Sequence, residues 1–512
     1  MSDTLDKVRP GGGTVEPIEV QPVNRRSGQS LYAPRTKIFP QQAHGRFRTL
    51  KWIVMAVTLA IYWGTPWIRW DRGPFAPSQA VLVDLADRRF FFFFIEIWPQ
   101  EFYFVAGLLI MAGIGLFLVT STFGRAWCGY TCWQTVWVDL FIAVERLIEG
   151  DRNARIKLDK APWTPRKITL RAAVYATWLV IAVCTGGAWV FYYSDAPTLL
   201  HDLVTLQAAP VAYITIGILA TTTFVFGGLM REQVCTYMCP WPRIQGAMLD
   251  EDSLLVTYND WRGEPRSRHK KRAAAEQAPV GDCVDCNACV AVCPMGIDIR
   301  DGNQLECISC ALCIDACDSV MAKLGRQTGL VSYTTLRDYN AQASIAATSG
   351  IAAARSTQRY FSWRRVVRPR TLLYAALWSA VGLTMVFALN DRTRLDINVI
   401  KDRNPLFVRL ADGSIRNGYT LKILNMRQEP RQYEIALDGL AGADLWQAGG
   451  REHDTQPIRV DVEADSVKAI RVFVSRRADA GTPSSPSFAF TVRDLGNTET
   501  ARERAEFSAP GA

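Results

Sequence analysis

The stretch that decides the fold is residues 283–318, "CVDCNACVAVCPMGIDIRDGNQLECISCALCIDACD". It holds two cysteine quartets with the same spacing, C-x2-C-x2-C-x3-C. Four thiolates are the ligands that a 4Fe–4S cube requires. In two-cluster ferredoxins the fourth cysteine of each run ligates the other cluster, because the chain doubles back between the two. The spacing therefore predicts two neighbouring 4Fe–4S clusters.

The crossed pattern divides the eight ligands between the clusters. One cluster is predicted on Cys283, Cys286, Cys289 and Cys317, and the other on Cys307, Cys310, Cys313 and Cys293. Zinc is the alternative, but structural zinc sites usually take their cysteines as two C-x2-C pairs, which these triplets fit poorly. The second quartet is followed by Asp318, where Pro294 follows the first. This change removes no ligand but alters the charge near the sulfurs, and with it the reduction potential.

Five uncharged segments surround this stretch, and an apolar helix of roughly 20 residues crosses a bilayer. They are Trp52–Ile68, Phe102–Gly124, Ala172–Ser194, Leu203–Met230 and Thr371–Asn390. The first is short, but tryptophans of the kind found at membrane interfaces flank it. The run "RRFFFFFIEIWPQE" at residues 88–101 is too short and too charged to cross, so we expect it to lie in the interface. The sequence predicts five transmembrane helices.

Lysine and arginine alternate between the loops, which predicts the orientation of the chain. The region up to Lys51 carries nine, residues 69–101 carry four, residues 125–171 carry nine, residues 195–202 carry none and residues 231–370 carry eighteen. We therefore expect the tail, the second loop and the cysteine-rich segment in the cytoplasm, and residues 391–512 in the periplasm of a bacterial inner membrane. The net charge of +9 then reflects membrane topology, and nothing indicates a nucleic-acid partner.

Two further cysteine pairs stand at the predicted membrane edge. Cys128 and Cys132 follow the second span in "GRAWCGYTCWQTVW", and Cys235 and Cys239 follow the fourth in "CTYMCPWPRIQG". Residues four apart share one face of a helix, so each pair is predicted to present two sulfurs together. Both span ends are predicted on the cytoplasmic side, where the four thiols could form one site. Thiolates favour soft ions such as Cu(I), with Met238 as a soft neighbour.

The remaining patterns narrow the chemistry. All cysteines except Cys184, which we expect to be a packing residue, lie in segments assigned to the reducing cytoplasm, so a disulfide framework is disfavoured. The four histidines, His44, His201, His269 and His453, cannot build a bis-histidine haem inside the membrane. No G-x-G-x-x-G motif follows a strand and no phosphate loop is present. These patterns predict single-electron transfer without a nucleotide.

Beyond Asn390 the chain changes to short alternating runs such as "YTLKIL", "QYEIAL" and "KAIRVFV", separated by turn residues. This pattern is typical of a β-sandwich. We divide the chain into a tail (1–48), a four-helix membrane region (49–250), a ferredoxin-like domain (251–370), a fifth span (371–390) and a periplasmic immunoglobulin-like domain (391–512). The fold class is thus an α-helical integral membrane protein with five transmembrane helices, a cytoplasmic two-cluster ferredoxin-like domain and a C-terminal all-β immunoglobulin-like sandwich.

The order of these parts resembles the cytochrome c oxidase accessory protein family of the FixG/CcoG/RdxA type, over roughly residues 40–500. The block "REQVCTYMCPWPRIQGAMLDEDSL" carries the most specific part of the resemblance. It implies a role in assembling cbb3-type cytochrome c oxidase by reducing Cu(II) to Cu(I) for its copper site. One departure is Trp133, which follows the first pair where family members often have proline.

We therefore expect a cupric reductase whose copper site is formed by Cys128, Cys132, Cys235 and Cys239. Expected partners are the lipid bilayer, a copper ion, a cytoplasmic electron donor and cbb3-type oxidase subunits or assembly factors. A second copy of this chain, forming a homodimer, is a further candidate partner. Two alternatives remain. A membrane polyferredoxin would relay electrons between the quinone pool and another redox enzyme, and a non-enzymatic scaffold would hold oxidase subunits through the outer domain.

Overall fold

The structure, a computed structural model, describes residues 37–74, 76–266, 280–357, 367–449, 457–477 and 486–509. Most of the predicted N-terminal tail lies outside these ranges, as do His269 and His453. The helices, in chain order, are α1 (Arg46–Gly64), α2 (Tyr103–Phe123), α3 (Ala126–Tyr130), α4 (Trp133–Glu149), α5 (Arg152–Lys160), α6 (Pro165–Thr185), α7 (Ala196–Val204), α8 (Pro210–Thr223), α9 (Trp241–Met248), α10 (Asp260–Gly263), α11 (Ala288–Ala291), α12 (Leu312–Lys323), α13 (Leu336–Ser349), α14 (Ile351–Ser356) and α15 (Pro369–Asn390).

Within the described ranges, four helical segments are long and apolar enough to cross a membrane: Pro99–Phe123, Pro165–Tyr192, Pro210–Met230 and Pro369–Asn390. The predicted first span corresponds to α1, which is not among them because its first turns carry Arg46, Arg48 and Lys51. The predicted fourth span is divided, since α7 ends at Val204 and the apolar helix starts at Pro210. Its last turn, Phe224–Met230, widens into a π-helix.

Residues 125–171, predicted as a loop, form α3, α4 and α5. Helix α4 buries three acidic side chains, which pair with arginines of neighbouring elements. Asp139 lies 2.7 Å from Arg48, and Glu145 pairs with both Arg155 and Arg231. A buried charge without its partner costs several kcal/mol, so these pairs fix α4 against α1, α5 and the end of the π-helical turn.

Residues 88–101, predicted as an interfacial segment, form part of a small antiparallel sheet. Its strands are β1 (Val81–Asp84), β2 (Arg89–Phe92) and β3 (Ile95–Ile97), in the order β1-β2-β3. Phe91 is fully buried, and Arg89 forms a salt bridge with Asp465 of the C-terminal domain. The aromatic run therefore supplies strands that contact the C-terminal domain, with Arg89 and Phe91 on the same face because they are two residues apart.

The cysteine-rich region is built around a two-stranded sheet, β4 (Leu255–Tyr258) and β5 (Val331–Thr334), with α11 and α12 carrying cysteines. Val256, Ile314, Met321 and Leu330 form its buried core together with several of the cysteines. A short N-terminal segment contacts this region, where the Arg48 amide donates a 2.7 Å hydrogen bond to Asp315.

The C-terminal domain is a sandwich of two antiparallel sheets, as predicted from the alternating runs. Its strands are β6 (Leu395–Lys401), β7 (Val408–Arg409), β8 (Ser414–Asn425), β9 (Arg431–Asp438), β10 (Ala443–Gln447), β11 (Ile458–Val462), β12 (Ser466–Arg477), β13 (Ser487–Asp494) and β14 (Thr500–Glu506). One sheet has the order β10-β12-β8-β6 with β7 paired to β8, and the other has the order β11-β9-β13-β14. Tyr419, Tyr433 and Phe490 are fully buried between the sheets.

Candidate metal and electron-transfer site

The eight cysteines of residues 283–317 surround two neighbouring cavities. The first cavity is lined by Cys283, Cys286, Cys289 and Cys317. The second is lined by Cys293, Cys307, Cys310 and Cys313, and Cys289 also borders it. Each cavity thus combines three cysteines of one run with the fourth cysteine of the other run.

The two loops that carry the leading cysteines have the same backbone shape. Asp285 and Ser309, each two residues after the first cysteine of its run, have positive φ angles of 49° and 53°. Asn287 and Ala311, each four residues after it, have φ angles of 57° and 60°. Left-handed residues other than glycine are costly, and such strain concentrates at functional sites. Two loops with the same strained turns are consistent with two sites of the same kind.

The chemistry of these side chains fits 4Fe–4S clusters better than single ions. Within the described ranges, no three His, Cys, Asp or Glu side chains lie close enough together to hold one metal ion. A cube binds each sulfur to a different iron, so its ligands stand farther apart than four ligands on one zinc ion. Burial raises the pKa of the Cys289 thiol to about 11 and that of Cys317 to about 12. Iron binding would have to displace these protons.

The membrane-edge thiol pairs do not lie on continuous α-helices, so the prediction of a shared helical face is wrong. Cys128 lies in α3, but Cys132 is the extended residue before α4. Cys235 lies in a second π-helical turn, Val234–Met238, and Cys239 is the extended residue after it. In both C-x3-C segments, here called the first and second block (residues 124–134 and 231–245), the chain leaves the helix at the second cysteine.

Both pairs nevertheless adopt one shared turn, which we call the thiol turn (residues 127–132 and 234–239). The Cys132 amide donates to the Trp127 carbonyl at 3.0 Å, and the Cys239 amide donates to the Val234 carbonyl at 2.8 Å. The second cysteines have similar backbone angles, with ψ near 130° and 123°. Trp133 therefore leaves Cys132 in the same conformation that Cys239 has before Pro240.

The spans that precede the two thiol turns end in the same way. Gly124, four residues before Cys128, has φ 59° and ψ −130°. Arg231, four residues before Cys235, has φ 49° and ψ −113°. The left-handed region is unfavourable for arginine, yet the Arg231 side chain stabilises it by bonding the Gly228 carbonyl and Glu145. The two blocks are thus structural equivalents at the ends of two different spans.

Hydrogen bonds join the segments that flank the two thiol turns. The Cys128 thiol lies 3.0 Å from the side-chain oxygen of Gln245, a fully buried residue of α9. Arg125 donates to the Pro242 carbonyl, and Gln134 donates to the Arg231 carbonyl at 3.1 Å. Each of these bonds joins an element of the first block to an element of the second.

The four thiols lie within electrostatic range of one another. Burial raises the pKa of Cys128 to about 12; the charges of Cys132, Cys235 and Cys239 raise it as well, and only Arg125 lowers it. Burial is also the largest cause that raises the pKa of Cys235 to about 12, and the charges of Cys132 and Cys239 raise it further. The structure therefore places the four membrane-edge thiols, which are far apart in sequence, within electrostatic range of one another. Among the described residues, no three of them lie close enough together to hold one metal ion without a rearrangement of their side chains. Met238 is half exposed, whereas Met295 lines one cavity with Cys235.

The first thiol turn packs directly on the loop of the second cysteine quartet. Gly129 is buried there, and a Cβ on this residue would lie 2.7 Å from the Ile308 carbonyl oxygen and 3.1 Å from the backbone of Cys310. Tyr130 donates to the Cys310 carbonyl, and Arg125 donates to the Cys307 carbonyl at 3.0 Å. Cys128 also packs against the hydrophobic cluster that contains Cys310.

Sequence reasoning missed Arg125, Gly129 and Gln245, which join these parts. The available signal was the repeated pattern C-x-Y-x-C in "CGYTC" and "CTYMC", which indicates that the two segments have similar local structures. Cys184, expected to be a packing residue, is exposed on α6, away from these sites.

Comparisons with known proteins agree with this architecture. Residues 230–336 match the family model of a 4Fe-4S dicluster domain, and residues 385–510 match the model described as an IG-like fold at the C-terminal of FixG, putative oxidoreductase. The chain is 59% identical to "Nitrogen fixation protein FixG" of Rhizobium meliloti, over 98% of each chain. It is 52% identical to "Protein RdxA" of Cereibacter sphaeroides, over 92% of this chain and 96% of that one. It is 54% identical to "Protein RdxB" of the same organism, over 89% and 92%.

The fold and the site define a membrane iron–sulfur protein with a 4Fe-4S dicluster domain and a C-terminal Ig-like domain. With relatives of this identity over nearly the whole chain, the protein belongs to the FixG/RdxA family. The resemblance read from the sequence is confirmed, as are the iron–sulfur class and the immunoglobulin-like domain.

Proposed function

We propose that this protein reduces Cu(II) to Cu(I) at Cys128, Cys132, Cys235 and Cys239, and so supplies copper for the assembly of cbb3-type cytochrome c oxidase. The observation that supports this is the direct contact between the first thiol turn and the loop that carries Cys307 and Cys310. A soft ion held at the thiols would lie next to a centre able to give it one electron.

Each group of residues has a distinct task in this proposal. The crossed quartets would hold the two 4Fe–4S clusters, which supply single-electron transfer when bound. The four membrane-edge thiols would bind copper and favour its reduced form, because thiolates are soft ligands. Gln245 accepts from the Cys128 thiol and orients its sulfur, and Arg125 places positive charge beside this thiol.

The charge alternation of the loops supports a cytoplasmic location for the thiol turns and the dicluster domain. In that orientation the Ig-like domain is periplasmic, and we propose that it docks oxidase subunits or assembly factors. Among the described residues it carries no cysteine, so a binding role suits it better than a redox role.

The test is the double variant Cys235→Ala/Cys239→Ala, with Cys184→Ala as the matched control. We expect both proteins, purified without oxygen, to keep about eight irons per chain, the content of two cubes. Cu(II) reduction, followed with a Cu(I)-specific chelator, should fall at least about tenfold only in the double variant. A double variant that keeps its iron and reduces Cu(II) at the normal rate would show that the thiol turns are not the copper site.

A further inference from the structure

A cavity of about 1010 Å³ lies between the membrane helices and the dicluster domain. Its walls on one side come from Leu50 and Val54 of α1 and from Val119 and Phe123 of α2. Leu50 and Phe123 are exposed, and α2 is part of the candidate span Pro99–Phe123. The apolar side of this cavity therefore opens where lipid chains would surround the protein.

The opposite end of the cavity is aromatic and polar. The rings of Trp127, Tyr130 and Tyr333 line it, together with Ser332 and Asp318. The Ser332 hydroxyl accepts a 3.2 Å hydrogen bond from Asn259, which fixes its position. A cavity with an apolar entrance and a few placed polar groups at its end suits a ligand with a polar ring and an apolar tail.

The polar end also touches both cysteine quartets. Val331 borders both this cavity and the cavity of Cys283, Cys286, Cys289 and Cys317. The Tyr130 hydroxyl donates to the Cys310 carbonyl at 3.3 Å, and the Tyr333 hydroxyl donates to the Ser309 carbonyl at 2.5 Å. An occupant would be separated from each quartet by little more than one residue.

We propose that this cavity binds a membrane-soluble hydroquinone, which is the electron donor for the copper reduction proposed above. A phospholipid is the competing occupant, because its acyl chains would fill the apolar part and Arg46, which also lines the cavity, would meet its phosphate. A soluble nicotinamide donor would need a nucleotide-binding motif, which the sequence lacks. A hydroquinone in this cavity would lie beside both quartets, whereas a phospholipid would gain nothing from that position.

The reaction balances with Cu(II) as the oxidant. One hydroquinone loses two electrons and two protons to become a quinone, as its two O–H bonds break. The two electrons reduce two Cu(II) ions to two Cu(I) ions, and the two protons pass to water. Two 4Fe–4S clusters, when bound beside this cavity, would supply the single-electron chemistry that this two-electron donor requires.

The test uses the full chain with its clusters, in nanodiscs of phosphatidylcholine, and a photoreactive azido-ubiquinone as the probe. We expect the label on residues 46–54, 119–131 or 328–333, and excess decylubiquinone should suppress it. Val119→Trp fills the cavity from α2 and should lower labelling roughly tenfold, because the indole ring occupies the space that the ligand needs. Leu109→Trp is the matched control, since this residue is exposed on the same helix away from the cavity.

A second variant, Ser332→Ala, changes the polar end without touching the membrane helices and should also weaken labelling. Labelling that excess decylubiquinone does not suppress, or that neither variant lowers, would overturn the quinone site. Reduction of Cu(II) by dithionite tests the copper proposal separately. If dithionite-driven reduction of Cu(II) fails while labelling persists, the copper function is wrong and the quinone site is supported. If the reduction succeeds while labelling is absent, only the quinone site is wrong.

Discussion

The Tyr130 hydroxyl donates a hydrogen bond of 3.3 Å to the carbonyl oxygen of Cys310. This bond joins a residue between two membrane-edge thiols to a residue of the second cysteine quartet, 180 positions later in the chain. It shows that the candidate copper site and the dicluster domain are built as one unit. The packing at Gly129, next to Tyr130, gives the first test of this unit.

We predict that Gly129→Ala will uncouple the two parts. The new Cβ would lie 2.7 Å from the Ile308 carbonyl oxygen, which is backbone and cannot move aside cheaply. The first thiol turn would shift away from the loop, and Cu(II) reduction should fall at least about tenfold while iron content stays unchanged. Gly113→Ala is the control, because a Cβ there meets nothing within 4 Å. Equal rates in the two variants would contradict the coupling.

We predict that iron content will reveal the crossed ligand sets. Cys283→Ala and Cys317→Ala, singly or together, should each leave about four irons per chain, because both residues belong to one cluster. Cys283→Ala combined with Cys293→Ala should leave almost none. Iron and acid-labile sulfide analysis measures this directly. If each run held its own cluster, the two double variants would exchange their results.

We predict that Arg125→Lys will loosen the contact between the two thiol turns. The guanidinium bonds the carbonyls of Leu305, Cys307 and Pro242 at once, whereas a lysine ammonium cannot span them with the same fork. Each lost bond to a charged group costs about 1.5–3 kcal/mol, so the melting temperature should fall. The exposed Arg243→Lys is the control and should leave it unchanged. An equal melting temperature for both variants would argue against this bridge.

We predict a pH-dependent contact between the β1–β3 sheet and the Ig-like domain. Burial, together with the negative charge of Asp465, raises the pKa of Glu96 from 4.5 to about 7. The positive charge of Arg89 acts in the opposite direction and lowers this pKa. Arg72 and Arg392 also face Glu96. Because its pKa is higher in the folded state, folding is favoured below about pH 4.5, and this contribution is lost as the pH rises to about 7.

Glu96→Gln should remove this pH dependence. The melting temperature of the wild-type protein should fall more steeply between pH 5 and pH 8 than that of the variant, by an amount equivalent to roughly 1–3 kcal/mol. The exposed Glu503→Gln on β14 is the control and should behave as the wild type does. Parallel curves for wild type and Glu96→Gln would contradict the prediction.

The sequence predicted the classes of structure well where a pattern is local. The quartet spacing identified the dicluster domain, and the alternation beyond Asn390 identified the sandwich, because both signals depend on near neighbours in the chain. It did not predict the strands of residues 88–101, whose interfacial location stays a prediction, and it was wrong at the C-x3-C pairs, where continuous helices were expected. There the conformation depends on distant partners such as Asp465 and on the left-handed Arg231.

The sequence by itself determined which parts the protein has: eight cysteines spaced for two cubes, five uncharged segments interpreted as membrane spans, and two thiol pairs at the ends of two of these segments. Only the tertiary structure decided that the two pairs lie together and that the first rests on the loop of Cys310. These contacts depend on Gly129 and Arg125, whose partners lie more than a hundred residues away. Spacing within one segment cannot encode where two segments meet, because that position is set by packing and hydrogen bonds between them.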